Sequence, residues 1–180
     1  MSTTHIPVVI GTAREGRQSE AIAEAIVQVI GEIDSVTTEL VDVKDHVAEA
    51  VTVPAWGSGG ANEHPTKWKE IVQNAQALIL VIPEYNHGYP GELKLLLDSL
   101  WEEYKGKPVG LVGVSAGTLG GARVVDHIKP VLIELYLQPM KEAAVYISNA
   151  KEAVADDGSF TDQKTVEYVT KMVRALEGKK

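Results

Sequence analysis

Cysteine is absent from this chain of 180 residues, which excludes disulfides, thiolate metal sites and thiol redox chemistry together. Long hydrophobic runs are absent too: none approaches the ~20 residues needed to span a bilayer. The opening residues Met1 to Pro7 lack the basic and apolar regions of a secretory signal, so a cytoplasmic location is expected. Positive charge is scarce. With 17 Lys and Arg against 25 Asp and Glu, the net charge is -8, the wrong sign for a general nucleic-acid binder, which needs a basic stripe to neutralise phosphates. The histidines, His5, His46, His64, His87 and His127, lack the spacings of a zinc or iron site, and no metal is expected. Repeats and linkers are missing as well, and the chain is long enough for one sizeable core, so residues 1–180 read as a single domain.

What is present is an alternation of short apolar runs with longer segments of helical period. Ile6 to Ile10 is a β-branched run ending at Gly11, and the helical stripe Ala21, Ile22, Ala25, Ile26, Val29 and Ile30 follows. Val36 to Val43 alternates like a strand, and Ala77 to Ile82 is fully apolar and closed by Pro83. A second stripe runs from Leu93 through Leu96, Leu97 and Leu100 to Trp101 and Tyr104. Val109 to Ser115 reads as a fourth strand, Gly120 to Leu135 as a helix containing Pro130, and Ala143 to Ile147 as a fifth strand. Thr161 is placed to cap a last helix whose inner face is Val166, Val169, Val173 and Leu176. Strands buried on both faces and separated by helices predict an α/β fold with a parallel sheet between two helix layers. Right-handed crossovers favour the strand order 2-1-3-4-5, with ligands beyond the carboxyl ends of the strands. Residues 51–65, rich in Gly and Pro, read as a long surface loop near that edge.

Three loops fall on this edge. The first, Gly11-Thr-Ala-Arg-Glu-Gly-Arg-Gln-Ser19, enters a helix whose free N–H groups and partial positive charge suit an anion. Thr12 and Ser19 can add hydroxyl donors, and Arg14 and Arg17 can pair with phosphate oxygens. A triphosphatase loop is excluded because Arg17-Gln18 stands where Lys-Ser/Thr is required. A dinucleotide fold wants G-x-G-x-x-G, which is missing; Asp42 reads as an ordinary strand-end residue. The second loop, Pro83-Glu-Tyr-Asn-His-Gly-Tyr-Pro-Gly91, is stiff and offers the flat faces of Tyr85 and Tyr89 with the amide of Asn86, a combination suited to a planar heterocycle. The third, Ser115-Ala-Gly-Thr-Leu-Gly-Gly121, lets the main chain approach a ligand or, equally, makes a close helix–strand junction. Gly113 to Gly117 also fits the letters of a hydrolase elbow, but its histidine partner, His127, falls inside a helix.

Together these segments, G-T-A-R-E-G-R-Q-S, P-E-Y-N-H-G-Y-P-G-E-L-K and S-A-G-T-L-G-G-A-R, resemble the NADPH-dependent FMN reductase family of flavodoxin-like proteins, which includes quinone, azo and chromate reductases. The resemblance covers nearly the whole domain; Leu95 and Ser99 depart from residues common in the family. It implies a flavodoxin-like three-layer sandwich that binds FMN and takes hydride from NADPH or NADH. An acceptor then follows in the same pocket: a quinone, azo compound, metal oxyanion or free flavin. Thr12, Arg14, Gln18 and Ser19, with Arg17 close by, would take the FMN phosphate. Pro83, Glu84, Tyr85 and Asn86 would line the ribityl chain and ring. Ser115, Gly117, Gly120 and Gly121 would approach the pyrimidine edge of the ring. The chemistry would centre on the flavin without an essential acid–base residue; Tyr85, Asn86 and His87 are the side chains to test. A homodimer or homotetramer is implied. An FMN-binding electron carrier or redox sensor without turnover is the alternative.

Overall fold

Val8, Val9 and Ile10 are β-branched, and all three are buried, as suits a strand covered on both faces. A computed structural model describes residues 3–47 and 66–178. In chain order its elements are β1 (Thr4–His5), β2 (Val8–Ile10), α1 (Ser19–Gly31), β3 (Val36–Thr37), β4 (Leu40–Asp42), α2 (Thr66–Asn74), β5 (Leu78–Pro83), α3 (Gly91–Asp98), β6 (Pro108–Val114), α4 (Ala122–Glu134), β7 (Gln138–Ile147) and α5 (Gln163–Leu176). The main sheet is parallel, in the order β4-β2-β5-β6-β7. Counted by its five members, this is the expected 2-1-3-4-5. Pro7 lacks an N–H and interrupts the first run, so β1 pairs separately with β3 and extends the sheet backwards.

Alternation along β5 sorts the core. Leu78, Leu80 and Ile82 face α2, α3 and α4, packing with Trp68, Val72, Leu93, Leu96, Val124 and Ile128. Ile79 and Val81 face the opposite layer, with Ile22, Ile26 and Ile30 of α1 and Val169, Met172 and Val173 of α5. Two helix layers therefore enclose one sheet, the three-layer sandwich expected from the sequence.

Several boundaries differ from the sequence reading. The stripe from Leu93 to Tyr104 is not one helix: α3 stops at Asp98, and Glu102–Tyr104 is a separate 3₁₀ turn. Ser99 sits at the break and donates its hydroxyl to the Leu96 carbonyl, a local bond that competes with helix continuation. Tyr104 still reaches the core, where its hydroxyl accepts from Trp68 Nε1 at 2.9 Å, and burial pushes its phenol pKa well above the ordinary value. The fifth strand of the main sheet is longer than Ala143–Ile147. It starts at Gln138, and its pairing with β6 shifts register between Val109 and Leu111, an irregularity that interrupts the apolar pattern upstream. Finally, Asp162 rather than Thr161 caps α5, accepting from Lys164 N, while the Thr161 hydroxyl donates to the Glu152 carbonyl. The loop expected over 51–65 lies outside the described residues.

Candidate functional site

The loop after β2 begins under tension for space. Gly11 donates to the Val81 carbonyl at 2.9 Å, and a Cβ at Gly11 would stand 2.9 Å from that oxygen; only glycine lets the two backbones lie this close. Thr12 is fully buried. Its hydroxyl donates to Glu92 Oε1 at 2.9 Å, and the same carboxylate accepts the Ala13 N–H at 2.9 Å. Because the Thr12 proton is committed to Glu92, the Tyr85 hydroxyl, 3.0 Å from Thr12 Oγ1, must be the donor in that pair. Burial alone would raise the Glu92 pKa, but the bonds from Ala13 N–H and Thr12 hold it below the ordinary carboxylate value. Glu92 thus ties the first loop to the tyrosine of the second. Thr12 supports the loop from below, where the sequence reading expected it at a phosphate.

Arg14 and Arg17 also part ways. Arg14 is exposed and its guanidinium lies over the Tyr85 ring, 5.4 Å from the centroid, a cation–π contact. Arg17 turns inward, its side chain only 5% exposed. Nη1 donates to Asp42 Oδ1 at 3.0 Å and to the Thr12 carbonyl at 2.6 Å, Nη2 donates to Asp42 Oδ2, and Nε donates to Glu20. Burial would lower the Arg17 pKa, but Asp42 and Glu20 raise it further above its ordinary value. Every nitrogen is engaged, so Arg17 braces the loop against β4. Asp42 is correspondingly more than a strand-end residue.

At the start of α1 the situation reverses. Gln18 is the N-cap but makes no side-chain cap, leaving the first N–H groups of the helix without a side-chain partner. Ser19 is 1% exposed, and its Oγ is buried with no hydrogen-bond partner. An orphaned hydroxyl beside an uncapped helix start is costly unless a ligand satisfies it.

In the second loop, Asn86 and His87 both have positive φ, 49° and 71°. Tyr85 and Gly88 exchange backbone hydrogen bonds across them, as in a type I′ hairpin turn. Both residues are exposed at the turn tip. Glu84 points the other way, its side chain 5% exposed, where Oε1 receives Nε and Nη2 of Arg123 from α4. Burial opposes ionisation of Glu84, but Arg123 holds its pKa below the ordinary value. Its Oε2 is buried without a partner.

The third loop divides in the same manner. A Cβ on Gly121 would sit 2.6 Å from Val114 N, and one on Gly120 2.9 Å from Tyr146 backbone. Both have positive φ. They form the close junction of β6 with α4. Gly117 has open space around it, and Ser115 Oγ donates to its carbonyl at 3.0 Å.

The loops enclose a cleft of ≈ 270 Å³. Of the residues expected at a site, Arg14, Arg17, Gln18, Ser19, Pro83, Glu84, Tyr85 and Ser115 line it, while Thr12, Asn86, Gly117, Gly120 and Gly121 do not. Gly16, Val114 and Ala116 complete these three walls, and a fourth wall, Ala150 and Lys151, comes from the loop after β7. Sequence reasoning missed that wall, although the loop follows a strand of the same sheet and must end on the same edge. Another cleft, ≈ 310 Å³, lies beside it between β7 and α5; its lining includes Glu152 and Asp162 and no basic residue. The two differ in sign, and only the first suits an anion. Among the described residues, no group of three His, Asp or Glu side chains is placed to hold a metal ion, and no helix is long and apolar enough to cross a membrane.

Comparison with known proteins points the same way. Residues 4–152 match the family model described as NADPH-dependent FMN reductase. An NAD(P)H-dependent FMN reductase of Pseudomonas aeruginosa is 30% identical over 93% of this chain and 90% of its own length. A 2-hydroxy-1,4-benzoquinone reductase of a Burkholderia species is 25% identical over 91% of this chain and 89% of its own. Among solved structures, a flavoenzyme NAD(P)H:(acceptor) oxidoreductase from Paracoccus denitrificans superposes with a TM-score of 0.78 at 25% identity, covering 97% of this chain and 95% of that one. A flavodoxin from the domain Archaea shares the fold, with a TM-score of 0.57 at 14% identity and 97% coverage of both chains.

Proposed function

This chain belongs to the NADPH-dependent FMN reductase family, and from that premise we propose that its four-walled cleft holds FMN with the phosphate at the start of α1. The protein is an FMN-dependent NAD(P)H oxidoreductase. FMN, when bound, supplies the hydride chemistry between a nicotinamide and an acceptor. The residues of the chain bind and orient. The observation that carries the placement is the Ser19 hydroxyl, buried and unpartnered at a helix start that no side chain caps. A phosphate oxygen there would satisfy the hydroxyl and the free N–H groups together.

Arg14 is the arginine that meets the phosphate, since Arg17 is committed to Asp42 and Glu20. Tyr85, oriented through Thr12 by Glu92, supplies a flat face of fixed orientation. Pro83 and Ser115 complete the wall on which a ring rests. The acceptor we take to be a quinone, in keeping with the reductases of 2-hydroxy-1,4-benzoquinone and other quinones among its relatives. We take the assembly to be a dimer or tetramer. Ile133, 62% exposed, and Tyr136, 50% exposed and edge-on to Trp101, form apolar surface available to a second copy.

A flavin titration tests the phosphate site. Arg14→Ala is expected to weaken FMN binding by about 1.5–3 kcal/mol, the scale of a hydrogen bond to a charged group, while riboflavin, lacking the phosphate, binds as before. Unchanged FMN affinity would refute the cradle. Anaerobic NADPH should bleach the bound flavin; reduction by dithionite alone would point to an electron carrier instead.

A further inference from the structure

The charge count at the cleft does not close with the first loop alone. A phosphate monoester carries about -1.5 to -2 near neutral pH. Arg17 is neutralised by Asp42 and Glu20. Arg14 remains, aided by the roughly half-charge of a helix N-terminus. By that count about +1.5 faces about -1.5 to -2, so up to about half a positive charge is still to be supplied.

We propose that Lys151, in the loop after β7, is the second cation of the phosphate site, an assignment that rests on the FMN reading above. Lys151 lines the same cleft as Arg14 and Ser19. It is exposed, and among the described residues it has no ion-pair partner. Its backbone is held in place. Ala150 N donates to the Ser115 carbonyl at 3.1 Å, and Asn149 N, from a residue with φ 47°, donates to the Gly117 carbonyl at 3.2 Å. Downstream, Val154 bridges Phe160, and the Thr161 hydroxyl donates to Glu152 and Ala153 carbonyls. The loop is therefore docked on the third loop at its start and pinned on itself beyond. That placement puts one lysine, a flexible point charge with three donors, opposite the helix start. Glu152, the next residue, lines the neighbouring acidic cleft instead.

The test compares FMN with riboflavin on flavin-free wild type, Lys151→Ala and Lys151→Glu, by fluorescence quenching at two ionic strengths. FMN affinity should fall about tenfold in the alanine variant and about 100-fold in the glutamate variant, as for loss and reversal of a charge-assisted contact. The salt dependence of FMN binding should flatten in both, and riboflavin affinity should stay within about twofold, because it carries no phosphate for the lysine to meet. FMN binding unchanged in Lys151→Glu would overturn the assignment while leaving the flavin reading intact. Equal losses of FMN and riboflavin would also overturn it, since they report a displaced loop and not a phosphate contact. A wild type that binds neither flavin would remove the FMN reading itself.

Discussion

Asp42→Asn is expected to destabilise the fold by about 3 kcal/mol, the low end for removing one partner of a buried ion pair. Arg17 and Asp42 are 5% and 12% exposed at their side chains, so solvent cannot replace the lost partner. The low end applies because Glu20 stays beside Arg17 Nε. For a chain of this size that is a fall of about 6–12 °C in Tm, readable by thermal denaturation. A change below about 1 kcal/mol would place the pair among solvated surface bridges. The pH dependence has a definite sign. Burial opposes ionisation, but Arg17 and Lys44 lower the Asp42 pKa below its ordinary 3.8. The pair's contribution is therefore complete above that value and lost as pH falls through the lower folded-state pKa.

The second large effect separates two glycines that look alike in sequence. Gly121→Ala should cost about 3 kcal/mol or more. An alanine at φ 74° carries about 1–2 kcal/mol of left-handed strain, and its Cβ would stand 2.6 Å from Val114 N and 2.9 Å from Gly113, adding the 1–3 kcal/mol or so of overpacking. Gly117→Ala meets nothing within 4 Å and should stay within about 0.5 kcal/mol. Chemical denaturation of both variants checks the pair; similar losses would mean that the β6–α4 junction is looser than its contacts imply.

These two cases also mark the limit of what was legible beforehand. The runs Ile6–Ile10 and Ala77–Ile82 announced strands because short β-branched and apolar runs without a polar face suit strands covered on both sides. Their order followed from handedness. The helix start at Ser19 was legible because a loop of glycines, arginines and hydroxyls ends there. Arg14 and Arg17, by contrast, are the same residue type three positions apart. What distinguishes them is Asp42, which only the pairing of β2 with β4 brings alongside. Glu92 was likewise invisible as a support for Thr12, since its partners lie some eighty positions away. Gly117 and Gly121 differ in what a Cβ would strike, a property of neighbouring backbone that no local pattern encodes. Lys151 needed only the strand-end rule carried through to the fifth strand of the sheet.

The fourth wall has a consequence for how the cofactor is acquired. A cleft assembled from Arg14 and residues 16–19, 83–85, 114–116 and 150–151 is complete only once β7, the last strand in the chain, has joined the sheet. On the proposed placement of FMN, binding to the finished cleft adds stability by mass action, about 2.7 kcal/mol when free FMN is at 100 times Kd. The steady-state abundance of the protein should therefore track the flavin supply of the cell, with the apoprotein the form most open to degradation.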